Sequence, residues 1–204
     1  ATATAALELG AMAYARGVLH NWFTFYVRDD GMVASRGVEL PSSARALTVL
    51  ALYPSYCERG DAALLLRLFG KARALATLLE SKRRLSLGFA PTDPRHGIPL
   101  GDAEAESYAQ AFGPAGAPPR HYYATAAEMY RAFTELGQVW TELGGATNRS
   151  DVAAHGAELL SLAPALYRDL HASLNRTVNT TASPGVRCWR SPWQQSCMLG
   201  VIGP

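Results

Sequence analysis

DPRHGIPLGDAEAESYAQAFGPAGAPPRHYYATAAEMY, residues 93–130, is the stretch on which the reading of this chain turns. It lies between two segments of strong helical periodicity and is too long for an ordinary connection. Connections in compact domains usually run to a handful of residues, and those beyond roughly 12–15 are commonly functional or disordered. The composition here is not that of a disordered segment. Asp102, Glu104 and Glu106 follow one another at two-residue spacing, and His121, Tyr122 and Tyr123 come at the far end. Acids close to aromatic rings, held between helix ends, are the raw material of a carbohydrate site.

Working outward, apolar residues recur at three and four on both sides. A first helix is predicted over 4–27, through Leu7, Ala11, Tyr14, Val18, Trp22 and Phe25. The RDDG run at 28–31 stops it, and residues 31–40 are turn-rich, with room for a short strand pair. Pro41, Ser42 and Ser43 open the next helix, which Pro54 kinks or ends. Asp61 reads as the N-cap of a helix over 61–84, whose last turn, Lys82-Arg83-Arg84, suits the helix dipole. Thr125 and Glu128 form a capping-box pattern that starts a helix at 125–143. Gly144 and Gly145 end it. A last helix spans 150–174, and 175–204 reads as an irregular tail.

Short and long connections therefore alternate, as in antiparallel helix hairpins set around a ring or along a solenoid. No fixed-period repeat is present, which disfavours short-repeat solenoids. In a ring the long connections, 28–41 and 88–121, emerge on one side and build the site there.

The 204 residues are 49% hydrophobic and 18% charged, a globular composition. The net charge of +2 comes without a basic stripe, so nucleic acid is not an expected partner. No run of about 18 apolar residues exists to span a membrane. The start, ATATAALELG, lacks the basic region of a signal peptide. It also lacks a methionine, so the chain reads as a segment of something longer. Asn148, Asn175 and Asn179 each head an N-x-[ST] sequon. Cys188 and Cys197 flank a loop with two tryptophans and suit a disulfide, leaving Cys57 as a buried thiol in an apolar helix. Together these point to a secreted or lumenal glycoprotein.

Five stretches carry a resemblance: NWFTFYVRDDG at 21–31, ARALTVLALYPSYCERGDAALL at 44–65, RR at 83–84, DPRHGIPLGDAEAE at 93–106 and HYYATAAEMYRAFTELGQVWTELG at 121–144. Over about 7–174 the chain resembles the six-hairpin glycosidase superfamily, in a largely uncharacterised branch. That resemblance implies an all-α fold, with antiparallel helix hairpins forming part of an (α/α)6 toroid. Many relatives are inverting glycoside hydrolases. About five of the toroid's twelve helices are expected here, with 1–174 as the partial toroid and the rest of the ring missing. Where the branch carries E-A-D, this chain reads Glu104-Ala105-Glu106.

Inversion needs one protonated and one ionised carboxyl about 6.5–9.5 Å apart. In extended backbone Glu104 and Glu106 point the same way, with Cα atoms about 7 Å apart. In a helical turn Asp102 and Glu106 share a face instead. The same acids also read simply as the dipole-satisfying first turn of a short helix. Glu106 is expected to face the cleft near Tyr122 or Tyr123, where burial would raise its pKa as suits a general acid. Candidate substrate contacts are Trp22, Asp30, His121, Tyr122 and Tyr123. The plainer reading makes Trp22 a core residue, Asp30 a turn former and His121 a loop hydrogen-bonder. The histidines show no paired ligand spacing, so neither metal nor cofactor is expected. A carbohydrate substrate is the expected partner. A polysaccharide lyase using Tyr122, Tyr123 or His121 with Arg95 or Arg120, or a non-catalytic helical scaffold, are the alternatives.

Overall fold

The structure is a computed structural model; it describes residues 2–33, 40–57, 60–101, 120–179, 188–189 and 201–202. It is mostly helical, as the periodicity requires. The helices are α1 (Thr2–Glu8), α2 (Met12–Asn21), α3 (Leu40–Leu52), α4 (Ala62–Ser86), α5 (Tyr123–Thr147) and α6 (Ser150–Thr177). The short strands are β1 (Leu100–Gly101), β2 (Arg120–Tyr122), β3 (Val178–Asn179), β4 (Cys188–Trp189) and β5 (Val201–Ile202).

The expected single helix over 4–27 is two helices. Gly10 takes φ +73°, its N–H bonds Leu7 O at 3.1 Å, and the Ala11 N–H bonds Ala6 O at 2.8 Å. That pair of bonds closes α1 as a Schellman motif, which a periodicity count steps over because the apolar spacing continues through it. α2 then widens into a π turn over Trp22–Tyr26. RDDG does form a turn: Asp30 Oδ1 accepts from the Met32 N–H at 2.9 Å, and Val27 and Val33 form an isolated antiparallel bridge.

α4 is capped as read. Asp61 Oδ1 accepts from the Leu64 N–H at 3.3 Å, while Oδ2 takes Arg16 Nε at 2.7 Å and the Tyr53 hydroxyl at 2.9 Å. Three boundaries differ from expectation. α5 starts at Tyr123, not at Thr125, because β2 delivers Tyr122 in extended geometry straight into the first turn. It also runs past Gly144-Gly145 to Thr147. Gly144 is held in the helix by the close approach of Ala153 in α6, and Asn148 supplies the left-handed residue, φ 54°. α6 continues to Thr177 with Pro164 inside it, so the Leu160 carbonyl lacks its helical N–H partner. Cys57 is a half-buried free thiol in extended backbone after the 3-10 turn Tyr53–Tyr56, not in an apolar helix.

Contacts fix the helix directions. Phe69 of α4 meets His155 of α6, ring centroids 5.8 Å apart, and about four turns further on along both helices Arg83 meets Asp169 at 2.5 Å. α4 and α6 are therefore parallel. α5 runs against α6, with Gly144 beside Ala153, Gly137 beside Gly156, and Tyr130 beside Tyr167. α3 lies along α5, its second turn tied to that of α5 by Arg45–Glu128 at 3.3 Å. α2 follows α4 in the same direction, from Arg16–Asp61 to Asp29–Lys71 at 2.6 Å. The result is a two-layer array of antiparallel hairpins with Phe23, Leu47, Leu50, Leu64, Phe133 and Trp140 wholly buried between the layers.

The short connections, at Gly10, at 53–61 and at 148–149, lie at one end of this array. The two long ones, after α2 and after α4, return at the opposite end, where α3 and α5 begin. β3 pairs with β4, and β5 pairs with β2, His121 opposite Ile202 and Tyr122 opposite Val201.

Candidate functional site

The long-connection end is organised by the turn at 93–98. Asp93 accepts from the Arg95 N–H at 2.8 Å and takes the guanidinium through both oxygens, at 3.0 and 2.7 Å. Hydrogen bonding from Arg95 holds the Asp93 carboxyl down to about 2, against a weaker opposing effect of burial. The guanidinium lies 4.1 Å from the centre of the Phe89 ring. His96 Nδ1 bonds Phe89 O at 2.8 Å.

Three groups pin this turn to the helices. Gly97, at φ +73°, lies directly on the Asp169 carboxylate, where any β-carbon would collide. Ser173 donates to the Pro94 carbonyl. His121, buried in β2, donates from Nδ1 to Ile98 O at 2.6 Å and packs edge-on to Phe89, 5.6 Å between centres. A carbonyl only accepts, so the proton is on Nδ1. Burial pulls the His121 pKa below its ordinary value, and the nearby Arg95 charge adds to that; the Ile98 bond and Asp93 pull the other way. The imidazole is therefore neutral at neutral pH and acts as an anchor.

Beneath the turn, buried Arg83 joins Glu80 at 3.3 Å to Asp169 at 2.5 Å. Beside it, the Tyr123 hydroxyl lies 2.7 Å from Thr177 Oγ1 and 3.1 Å from Ser173 Oγ. β1 and β2 close the frame, with Leu100 opposite His121 and Gly101 opposite Arg120. The chain that leaves Gly101 and returns at Arg120 carries both candidate acids.

Of the expected site residues, His121, Tyr122 and Tyr123 are brought together here. Tyr123 is turned inward and buried, whereas Tyr122 is half-exposed at the helix start. Trp22 and Asp30 lie instead on the α2 side. Trp22 packs edge-on against core Phe23, 5.0 Å between centres, and Asp30 serves its own turn and Arg28 at 2.8 Å. Glu104, Glu106, Asp102 and Cys197 lie outside the described residues. Asn148 and Asn175 are exposed; Asn179 sits opposite Cys188 in the β3–β4 pair. Among the described residues no three His, Cys, Asp or Glu side chains are grouped to hold a metal ion. No helix among them is long and apolar enough to cross a membrane.

Sequence reading missed Asp93, Arg83 and Asp169 as parts of the site, and took Arg95 only as a cation for the lyase alternative. The Asp-Pro-Arg spacing was a local signal for the Asp93–Arg95 pair. Arg83 was read as a cation suiting the helix dipole, and its Asp169 partner is 86 residues away, so no local pattern could find that pair. No family model, no curated protein and no solved structure matches this chain.

Proposed function

We propose that this chain is part of an (α/α)6 toroid of the six-hairpin glycosidase type and contributes to hydrolysis of a glycosidic bond. One observation carries the reading: both ends of the acid-bearing segment are pinned in a braced, buried frame at the long-connection end of the hairpin array. A fully extended chain from Gly101 spans at most about 11 Å to Glu104 and about 18 Å to Glu106. Glu106 is assigned the general acid, with Glu104 as its candidate counterpart, and Tyr122, half-exposed at the start of α5, is the candidate sugar-binding aromatic. The lyase alternative is weakened because Arg95, one of its two cations, is committed to Asp93 and Phe89. The sequons and the Cys188–Cys197 pair fit a secreted glycoprotein, and that assignment belongs to the same proposal.

The test is release of reducing sugar from a panel of polysaccharides by the full-length protein. Glu106→Gln should preserve fold and sugar binding while losing about 10²–10⁴-fold in turnover, as removal of a general acid or base does. Full activity in Glu106→Gln removes it from the mechanism. An ultraviolet-absorbing product would mark elimination and overturn hydrolysis.

A further inference from the structure

On the flank of the array, α4 and α6 enclose a half-open hollow of about 90 Å³ lined by Thr77, Glu80, Ser81, Arg84, His155 and Glu158, with Ala76, Leu159 and Leu162 as its apolar floor; Glu80 is shared with the Arg83–Asp169 bridge beneath the 93–98 turn. Two of its polar side chains are more than nine-tenths buried, Glu80 at 9% exposure and His155 at 3%. Each has a buried atom with no partner among the described residues: Glu80 Oε2 and His155 Nε2. Buried polar atoms are almost always hydrogen-bonded, and one left bare is costly. An occupant of the hollow is the simplest way to satisfy both.

The chemistry of that occupant follows from what the wall already donates. His155 Nδ1 faces Glu158 Oε2 at 3.2 Å, which only accepts, so the ring proton is on Nδ1 and Nε2 offers a lone pair. Burial keeps the imidazole pKa below its ordinary value despite Glu158, and the field of Arg73 adds to this, so at neutral pH the lone pair is free. Glu80 Oε1 is taken by Arg83 at 3.3 Å and Arg84 at 3.4 Å, leaving Oε2 as an acceptor. The hydroxyls have spent their protons: Thr77 donates to Arg73 O at 3.0 Å and Ser81 to Leu78 O at 2.7 Å. Apart from the Arg84 guanidinium, whose Nε is given to Glu80, the lining therefore presents acceptors, and it carries two carboxylates against that one guanidinium.

We propose that this hollow is a binding site for an ammonium group, either the free ion or a small primary amine, which donates to Glu80 Oε2 and His155 Nε2. An ammonium ion displaces about as much volume as one water, roughly 30 Å³. The hollow thus has room for the ion with a water or for an amine with a short alkyl tail, which would lie on Leu159 and Leu162. This site is independent of the glycosidase reading.

The experiment uses the whole chain with ¹⁵N-ammonium chloride and ethylammonium chloride, against sodium chloride at equal ionic strength. Saturable thermal stabilisation by the two ammonium salts beyond that by sodium is expected. So are nuclear Overhauser contacts from the bound ¹⁵N-ammonium protons to the methyls of Ala76, Leu159 and Leu162. Glu80→Gln and His155→Phe should each weaken ammonium binding tenfold or more. Should those variants fail to fold, the contacts seen in the unaltered chain decide. Equal effects of ammonium and sodium, or contacts from water alone to the same methyls, would overturn the proposal.

Discussion

Two buried histidines and two low-pKa aspartates set how this molecule answers to acid. His121 and His155 are held neutral by burial, with folded pKa values below the ordinary 6.5. A group whose folded pKa is depressed gives the native state fewer protons than the unfolded chain. Its contribution is complete above about pH 6.5 and is lost as the pH falls through the folded value. Asp93 behaves the same way lower down. Its contribution is complete above its unfolded value near 4 and fades toward about 2. Asp61 joins it: burial works to raise its pKa, but the bonds from Arg16, Tyr53 and the Leu64 amide together outweigh that. Denaturant stability should therefore fall in two stages, one beginning as the pH drops below 6.5 and another below pH 4. Each titrating group gives a slope of at most about 1.4 kcal/mol per pH unit. His121→Gln, which keeps an N–H for Ile98 O, should flatten the first stage and leave the second. An unchanged slope between pH 7 and 5 in that variant would show that His121 does not titrate on unfolding.

At the scale of the element, glycines in helices separate propensity from packing. In an open helix Gly→Ala stabilises by about 1 kcal/mol, because alanine loses less backbone freedom on folding. Gly70 of α4 has nothing within 4 Å of where a β-carbon would stand, so Gly70→Ala should stabilise by roughly that amount. Gly144 of α5 lies against the Ala153 backbone in α6, so there the same change should reverse sign and cost about 1–3 kcal/mol as the helices are forced apart. Chemical denaturation of both variants checks the pair, and two changes of the same sign would refute the packing argument. The same contrast explains what was legible in the sequence. The helical class and the four later helices followed from apolar spacing, the break at Gly10 did not, and Asp61 announced its cap through local chemistry. Gly144-Gly145 looked like a stop because a sequence shows glycine but not the neighbour that requires it. Thr125 and Glu128 matched a cap by spacing, yet the helix start was set by the pairing of β2 with strands that are remote in sequence. The Asp93–Arg95 turn was written locally, whereas the Arg83–Asp169 and His121–Ile98 contacts came only from the fold.

For the whole molecule, the outstanding feature is that the array has two unlike edges. On the α1–α2 side Leu9 is 83% exposed and Phe25 70%, with Tyr14 and Tyr26 also open. On the α5–α6 side a groove of about 430 Å³ runs between Tyr130, Thr134, Leu160, Pro164 and Tyr167, the two tyrosine rings 5.2 Å apart. Soluble monomers seldom leave contiguous apolar patches larger than a few hundred Å². An array whose interior layers are wholly buried yet whose flanks are apolar is built like the middle of a longer stack. The hydrophobic term is non-directional, so these flanks find each other when nothing else covers them. The isolated chain should therefore associate with rising concentration in sedimentation or light scattering and bind a hydrophobic dye while folded. Phe25→Lys combined with Tyr167→Lys should abolish both behaviours and leave the melting temperature within a few degrees, because both side chains are largely outside the core. A chain that stays monomeric and dye-free at high concentration would mean that the flanks are sealed and would refute the argument from the exposed edges.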